Sequence, residues 1–317
     1  MKESFNFCPF PGTESLLEGW PGHLPGFLKD HGLDGIELQV WDREPYPAPY
    51  PETIGVHLRH WPFWMDFWLD DREELARNHA SADTMKAWFM GAENRDGWVE
   101  AIRANIAASL TYRPEYLVWH VTHCGLDESY HRRFRYSSEQ IIDSTVELFR
   151  LVSDAIPDSV TVLFENLWWN GLTLLDPAIT DRLFSGISRS NVGIMLDTGH
   201  LMNCNWELKD EGQAVAFLLD TVRNMGEAKS LIRGMHLSCS LSGEYQRSCL
   251  PLGQPGFDMM KIFRHIAQID RHQPFTEAPL KALLGEVKPD WLVHELFYSS
   301  LPQLSDFLKQ QKALLLR

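Results

Sequence analysis

The chain has 317 residues, of which 44% are hydrophobic, and its formal net charge is −14 with a pI near 5.3. This acidic balance disfavours tight binding to duplex DNA or RNA, because a negative surface repels the phosphate backbone. The sequence offers no apolar window of about 18 residues and no apolar signal core, so we expect no membrane span. The five cysteines lack disulfide or zinc-finger spacing. We therefore expect a soluble cytoplasmic protein that acts on a small molecule, with a homo-oligomer possible.

Strand-like runs alternate with amphipathic helix-like stretches along the chain, which predicts a parallel α/β architecture. The predicted strands are Phe5–Cys8, Gly35–Val40, Ile54–Leu58, Tyr116–Val121, Val160–Glu165, Val192–Asp197, Gly234–Ser238 and Trp291–Leu296. The predicted helices include Ser137–Ala155, Gly212–Arg223, Phe257–Ile269 and Leu304–Leu315, with an extended loop over Leu241–Gln254. Eight such strands predict a single (β/α)8 TIM barrel that takes in residues 1–317.

The segment His60–Gly97, between the third and fourth strands, is long and rich in tryptophan. An insertion after a strand's carboxyl end lies over the catalytic face of a barrel, which predicts a lid or pocket wall. An extra packing layer on the barrel flank is the alternative, and the pattern favours neither. We take Trp61 and Trp64, together with Trp168 after the fifth strand, as candidate substrate contacts.

Acidic and histidine side chains stand where several predicted strands end. The carboxyl ends of barrel strands converge on one mouth, so residues distant in sequence meet there. Three carboxylates and one imidazole suit zinc, manganese, cobalt, iron or magnesium without choosing among them. The predicted ligands of this divalent metal are Glu165, Asp197, His236 and Glu295. Side chains alternate along a strand, so His294 points away from the side that Glu295 faces. We expect it to be a packing residue or to support a ligand residue.

Three segments resemble signatures of the xylose isomerase-like barrel superfamily, which contains sugar isomerases and epimerases and the zinc-dependent apurinic endonucleases. They are Phe164-Glu165-Asn166, Leu196-Asp197-Thr198-Gly199-His200 and Arg233-Gly234-Met235-His236-Leu237. The resemblance runs from about Gly35 to Glu295. Its epimerase-like branch implies one metal on the four ligands named above.

The endonuclease-like branch implies a second metal, bridged by Glu165 and held by His57 and His120, so one or two ions are expected. His60 and His123 lie three residues further along and are substitutes. This branch holds a third metal through the histidine after Asp-Thr, here His200, and an Asp-x-His pair in the loop after the seventh strand. The corresponding loop, residues 246–253, lacks such a pair. We expect Arg247 there to grip a phosphate or hydroxyl instead.

Two functions follow from these alternatives. A carboxylate-bridged metal pair suits hydrolysis of a phosphodiester, with Glu165, Glu295, His200 and Arg247 as catalytic residues. Aromatic rings would stack a base-like group, and the resemblance extends to the bacterial phosphodiesterases that remodel cobamides, which implies a nucleotide-tailed small-molecule substrate. The alternative is a mononuclear sugar or sugar-phosphate isomerase or epimerase, in which Glu165 and Glu295 shuttle a proton and Glu37 binds a substrate hydroxyl. A binding barrel with a vestigial site ranks last, because the core ligands are intact.

Overall fold

The computed structural model describes residues 1–9, 19–79, 81–249 and 259–316. Eight parallel strands follow one another in chain order and close into a barrel, with the first strand beside the eighth. They are β1 Lys2–Phe7, β2 Gly35–Val40, β3 Thr53–Leu58, β4 Tyr116–His120, β5 Thr161–Glu165, β6 Val192–Asp197, β7 Ile232–Leu237 and β8 Trp291–His294. The predicted (β/α)8 barrel is confirmed, and the predicted strand ends lie within three residues of those observed.

Helices cover the outside of the barrel. The larger ones are His23–His31, Arg95–Leu110, Ser138–Val152, Pro177–Gly186, Glu211–Asn224, Met259–Ile269 and Leu301–Leu315. Shorter ones are Met65–Trp68, Arg72–Asn78, Ala82–Trp88, Glu128–His131, Thr198–Asn203, Gly243–Cys249 and Lys281–Val287, with 3-10 turns at Ser153–Ala155 and Gly226–Leu231. The expected loop Leu241–Gln254 therefore contains a helix, and its residues 250–254 lie outside the described part. So do the first two residues of the predicted helix Phe257–Ile269.

Local sequence explains where the helices begin. The side chain of Ser137 accepts a hydrogen bond from the backbone N–H of Gln140, and the Gln140 side-chain oxygen accepts one from the backbone N–H of Ser137. This capping box satisfies two amide groups that the first helical turn would leave without partners. Among the described residues, no helix combines the length and apolar character needed to cross a bilayer.

The barrel interior is apolar at one end and polar at the other. Tyr116, Leu163, Met195 and Val293 form a fully buried apolar cluster inside the barrel. The acidic and histidine side chains lie at or beside the carboxyl ends of the strands, above this plug. The fold therefore places them at the mouth that is the catalytic face of TIM barrels.

The Trp-rich insertion packs as a layer against the loop that follows β4. Trp61, Trp64 and Trp98 are each less than a tenth exposed, and the ring of Trp98 lies 5.4 Å from Trp61 and 5.8 Å from Trp64. The indole N–H of Trp64 donates to the carbonyl of Thr122 at 2.7 Å. These contacts favour the packing interpretation of the insertion over an open pocket wall.

Candidate metal centre

Four residues form the first ligand cluster. Glu165 and Asp197 end β5 and β6, His236 lies in β7, and Glu295 directly follows β8. The Nδ1 atom of His236 lies 3.1 Å from Glu165 Oε1, 3.0 Å from Glu295 Oε2 and 3.7 Å from Asp197 Oδ2. One ligand atom from each residue falls within 4.8 Å of the others. The structure thus brings together the four ligands predicted from the strand ends.

A second cluster shares Glu165 with the first. The Nε2 atoms of His57 on β3 and His120 on β4 are 2.9 Å apart, and they lie 3.2 and 2.8 Å from Glu165 Oε2. Two ring nitrogens at this separation repel each other unless a proton or a cation lies between them. Of the two possible substitutes, His123 is engaged elsewhere, since its Nδ1 accepts the backbone N–H groups of Trp64 and Met65. The ring of His60 lies 4.1 Å from that of His120, but the ligand cluster on Glu165 consists of His57 and His120.

A third cluster consists of His200, Asp270 and His272. Asp270 Oδ2 lies 3.2 Å from His200 Nε2 and 2.6 Å from His272 Nε2, and all three residues are buried. Asp270-Arg271-His272 is an Asp-x-His pair between β7 and β8. The expectation that this pair is missing was wrong, because the chain forms the helices Gly243–Cys249 and Met259–Ile269 before it returns to the mouth.

The described contacts of Arg247 do not favour the role expected of it. Its guanidinium donates to the carbonyl of Trp206 at 2.6 Å and pairs with Glu207 at 3.0 Å. The side chain is 42% exposed, and its described contacts are with this outer loop. Asp270 and His272 occupy the place beside His200 that was assigned to Arg247.

The three clusters form one continuous site. His200 Nδ1 lies 3.3 Å from Glu165 Oε1 and donates to the carbonyl of Asn166 at 2.8 Å. The Asn166 side chain in turn bonds both the amide and the carbonyl of Asp197. The carboxylate of Asp197 accepts the backbone N–H of His200 at 2.6 Å. These bonds hold the loops after β5 and β6 together, so the ligands keep their spacing.

The donor set fits divalent cations. Asp197 Oδ2 and Asp270 Oδ1 are buried carboxylate oxygens without a hydrogen-bond partner among the described residues, and a buried acceptor in this state is costly unless a cation neutralises it. His57, His200 and His272 each bond a backbone carbonyl through Nδ1 and turn Nε2 toward a cluster. This is how histidine presents an unprotonated nitrogen to a metal.

The pKa shifts of the carboxylates at the mouth also favour a bound cation. Burial raises the pKa of Asp197 well above its usual range, and the charges of Glu295 and Glu165 raise it further against the attraction of His200. Burial acts in the same direction on Glu165, but attraction to and hydrogen bonds from His120 and His236 hold its pKa well below the usual range. In the protein alone, neighbouring histidines therefore stabilise the charge of Glu165, whereas burial and nearby carboxylates oppose the charge of Asp197.

The predicted substrate contacts lie in three different surroundings. Glu37 is fully buried behind His236, whose Nε2 lies 3.0 Å from each of its carboxylate oxygens, so the expected contact with a substrate hydroxyl is not supported. Trp61 and Trp64 belong to the packed layer of the insertion. Trp168 is buried, with its ring 5.0 Å from that of His200, and it stays a predicted contact. His294 packs as expected, with Nδ1 2.8 Å from Gln311.

A closed parallel barrel with carboxylates and histidines gathered at its mouth defines a metal-site TIM barrel. The chain belongs to the xylose isomerase-like TIM barrel family, whose pattern matches residues 26–313. No curated protein matches the sequence at a significant level.

Solved structures of different activities share this fold. D-psicose 3-epimerase, solved in the presence of D-fructose, is 11% identical over 100% of this chain and 97% of its own, with a TM-score of 0.54. Endonuclease IV from Thermus thermophilus is 11% identical over 99% of both chains, with a TM-score of 0.51. Mannonate dehydratase from Streptococcus suis serotype 2 is 12% identical over 99% of this chain and 92% of its own, with a TM-score of 0.50. Identities this low support the fold alone, and function must be argued from the site.

Proposed function

We propose that the protein is a divalent-metal-dependent hydrolase that cleaves a phosphodiester. The observation that carries this proposal is the third cluster, His200 with Asp270 and His272, beside the two clusters that share Glu165. A mononuclear proton-transfer enzyme requires only the first cluster. It does not need the five further ligands that face the same mouth, four of which are buried.

The chemistry of phosphoryl transfer explains why several clusters are useful. Divalent ions bridged by a carboxylate supply an activated water and neutralise the charge that develops on the attacking and leaving oxygens of an in-line displacement. Glu165 has one oxygen beside His57 and His120 and the other beside His236 and His200, so it is placed to bridge. The bonds of Asn166 to Asp197 keep the neighbouring ligands in position.

We propose a nucleotide-tailed small molecule as the substrate, with cobamides as the first to test. The net charge of −14 disfavours a long duplex. Trp168 beside His200 offers an aromatic ring at the site, and stacking on such a ring stabilises a base by about 1–3 kcal/mol. Because Asp270 and His272 are in place, the ligand pattern itself does not disfavour abasic-site DNA. That substrate therefore belongs in the test.

The first experiment is elemental analysis of protein purified without chelator, beside an Asp270→Asn/His272→Ala variant. We expect three ions per chain, falling to two in the variant. Rates are then measured on bis(p-nitrophenyl) phosphate, a cobamide and an abasic-site duplex, and solvent deuterium exchange is followed in a ketose. Diester hydrolysis that falls with the third ion supports the proposal.

The epimerase alternative predicts a different outcome. One ion per chain, unchanged in the double variant, together with deuterium incorporation into the ketose and no diester hydrolysis, would replace the hydrolase proposal. In that case Glu165 and Glu295 would be the proton-transfer pair. Cleavage of the abasic duplex in preference to the cobamide would keep the reaction and change the substrate.

A further inference from the structure

Residues on three neighbouring strands lie beside the Nε2 atom of His236, the ring nitrogen that faces away from the other ligands. Glu37 on β2 is paired in register with Gly55 on β3, and Gly55 with Tyr116 on β4. Glu37 and Tyr116 are fully buried, as is His236 across the barrel on β7. Glu37 and Tyr116 lie behind His236 and are not members of a ligand cluster, so no substrate is needed to explain their arrangement.

The contacts form a chain that ends at a candidate ligand. The hydroxyl of Tyr116 donates to Glu37 Oε2 at 2.8 Å. The carboxylate of Glu37 lies 3.0 Å from His236 Nε2, so it is placed to accept an N–H from that nitrogen. The other nitrogen, Nδ1, is the one that faces Glu165, Asp197 and Glu295.

Gly55 makes this chain possible. A Cβ atom at this position would lie 2.0 Å from Cζ of the Tyr116 ring. The ring therefore crosses β3 through the space that a missing side chain leaves, and its hydroxyl reaches a residue two strands away. The glycine is required for this close approach, not for a special backbone angle.

We propose that Glu37, held by Tyr116 across Gly55, is the positioning residue that fixes the proton of His236 on Nε2 and presents Nδ1 to a metal ion. The inference rests on the metal-binding part of the proposed function and on no particular substrate. His57, His200 and His272 are oriented by neutral backbone carbonyls, whereas His236 is oriented by a carboxylate. A charged acceptor makes a stronger hydrogen bond and increases the basicity of the ligand nitrogen.

The test compares Glu37→Gln and Tyr116→Phe with a matched control, Glu128→Gln. Glu128 is also buried and accepts two backbone N–H groups, those of Gly125 and Arg135, and none of its described contacts is with a candidate ligand. Zinc affinity is measured by chelator competition, and the absorption spectrum of the cobalt-substituted protein reports the ligand field. Melting temperatures of the metal-free proteins report folding.

We expect Glu37→Gln to weaken the binding of one zinc ion about 10- to 100-fold and to shift the cobalt spectrum. Tyr116→Phe should weaken it several-fold, because Glu37 keeps its charge but loses its anchor. Glu128→Gln should bind zinc like the wild type, even where its melting temperature falls.

Wild-type affinity and an unchanged cobalt spectrum in Glu37→Gln would overturn the inference. Should that variant fail to fold, Tyr116→Phe decides, and wild-type zinc affinity in it contradicts the proposal. A wild-type protein that binds no divalent ion contradicts the proposed function itself, so the two failures are distinguishable.

Discussion

The mouth of the barrel and the Trp-rich insertion both contain many buried polar atoms. The two regions differ in whether these atoms have hydrogen-bond partners within the protein. In the insertion, the indole N–H groups of Trp61, Trp64 and Trp88 donate to backbone carbonyls, and that of Trp68 donates to the carboxylate of Glu147. At the mouth, Asp197 Oδ2 and Asp270 Oδ1 have no donor among the described residues.

This difference separates packing from function. Buried polar groups that have hydrogen-bond partners within the protein stabilise the fold and do not require a ligand. Buried carboxylate oxygens that face imidazole nitrogens and one another are costly in the protein alone, and a cation removes that cost. The mouth is therefore arranged to bind a cation, whereas the insertion packs against the loop that follows β4.

The largest expected effect comes from Glu165→Gln. Glu165 belongs to two clusters, so the loss of its charge should release the ions of both and lower kcat/KM for a phosphodiester by more than about 10³-fold. Elemental analysis and steady-state rates measure this. Asp143→Asn, which removes only a surface pair with Arg182, is the control. Activity within about tenfold of wild type in Glu165→Gln would contradict the bridging role.

A smaller effect is expected from His272→Ala. The variant should lose one ion, keep those of the other two clusters and lower kcat roughly 100-fold, because charge stabilisation in the transition state is weakened. Metal content and rate are measured on the same preparation. If rate and metal content both stay at wild-type levels, the third cluster is structural and the case for a hydrolase is lost.

The sequence predicts the first two clusters because strand ends carry a strong local signal. An apolar run that ends in Glu165 or Asp197 indicates both the strand and the mouth to which it leads. Asp270 and His272 follow a helix instead, so no strand end marks them, and the path of the chain brings them to His200. The Asp-x-His spacing is visible in the sequence, but it lies two helices beyond the end of β7.

Orientation is less predictable than position. Glu37 lies within a predicted strand, but the direction of its side chain depends on the register of three strands and on the space at Gly55. The role of a tryptophan depends on which carbonyl its N–H reaches, and composition does not specify that contact. Sequence therefore predicts which residues gather at the mouth better than what each one faces.

Trp64→Phe tests whether the tryptophans of the insertion stabilise the fold. The variant loses the hydrogen bond to Thr122 and part of a buried ring, which should lower the free energy of unfolding by about 1–3 kcal/mol. Denaturant unfolding measures this loss, and metal content and KM should stay unchanged. A raised KM with unaltered stability would instead make Trp64 part of a substrate pocket.

The smallest expected effect concerns Glu211, a carboxylate outside the mouth whose hydrogen bonds are satisfied. It accepts the backbone N–H groups of Thr276, Glu277 and Ala278 and the Thr276 hydroxyl. Burial opposes ionisation, but these bonds outweigh it and lower the pKa of Glu211 below 4.5. The stabilisation is therefore complete above about pH 4.5 and decreases as the pH falls below that value.

Glu211→Gln should lower the free energy of unfolding by about 1 kcal/mol at pH 7, since the carboxylate is partly exposed. The difference from wild type should shrink when urea unfolding is repeated below about pH 4.5, and metal content should not change. Substitution of Asp197, which has a carboxylate oxygen without a hydrogen-bond partner among the described residues, should instead lower the metal content. If Glu211→Gln lost metal as well, hydrogen-bond satisfaction would not separate structural carboxylates from ligands in this protein.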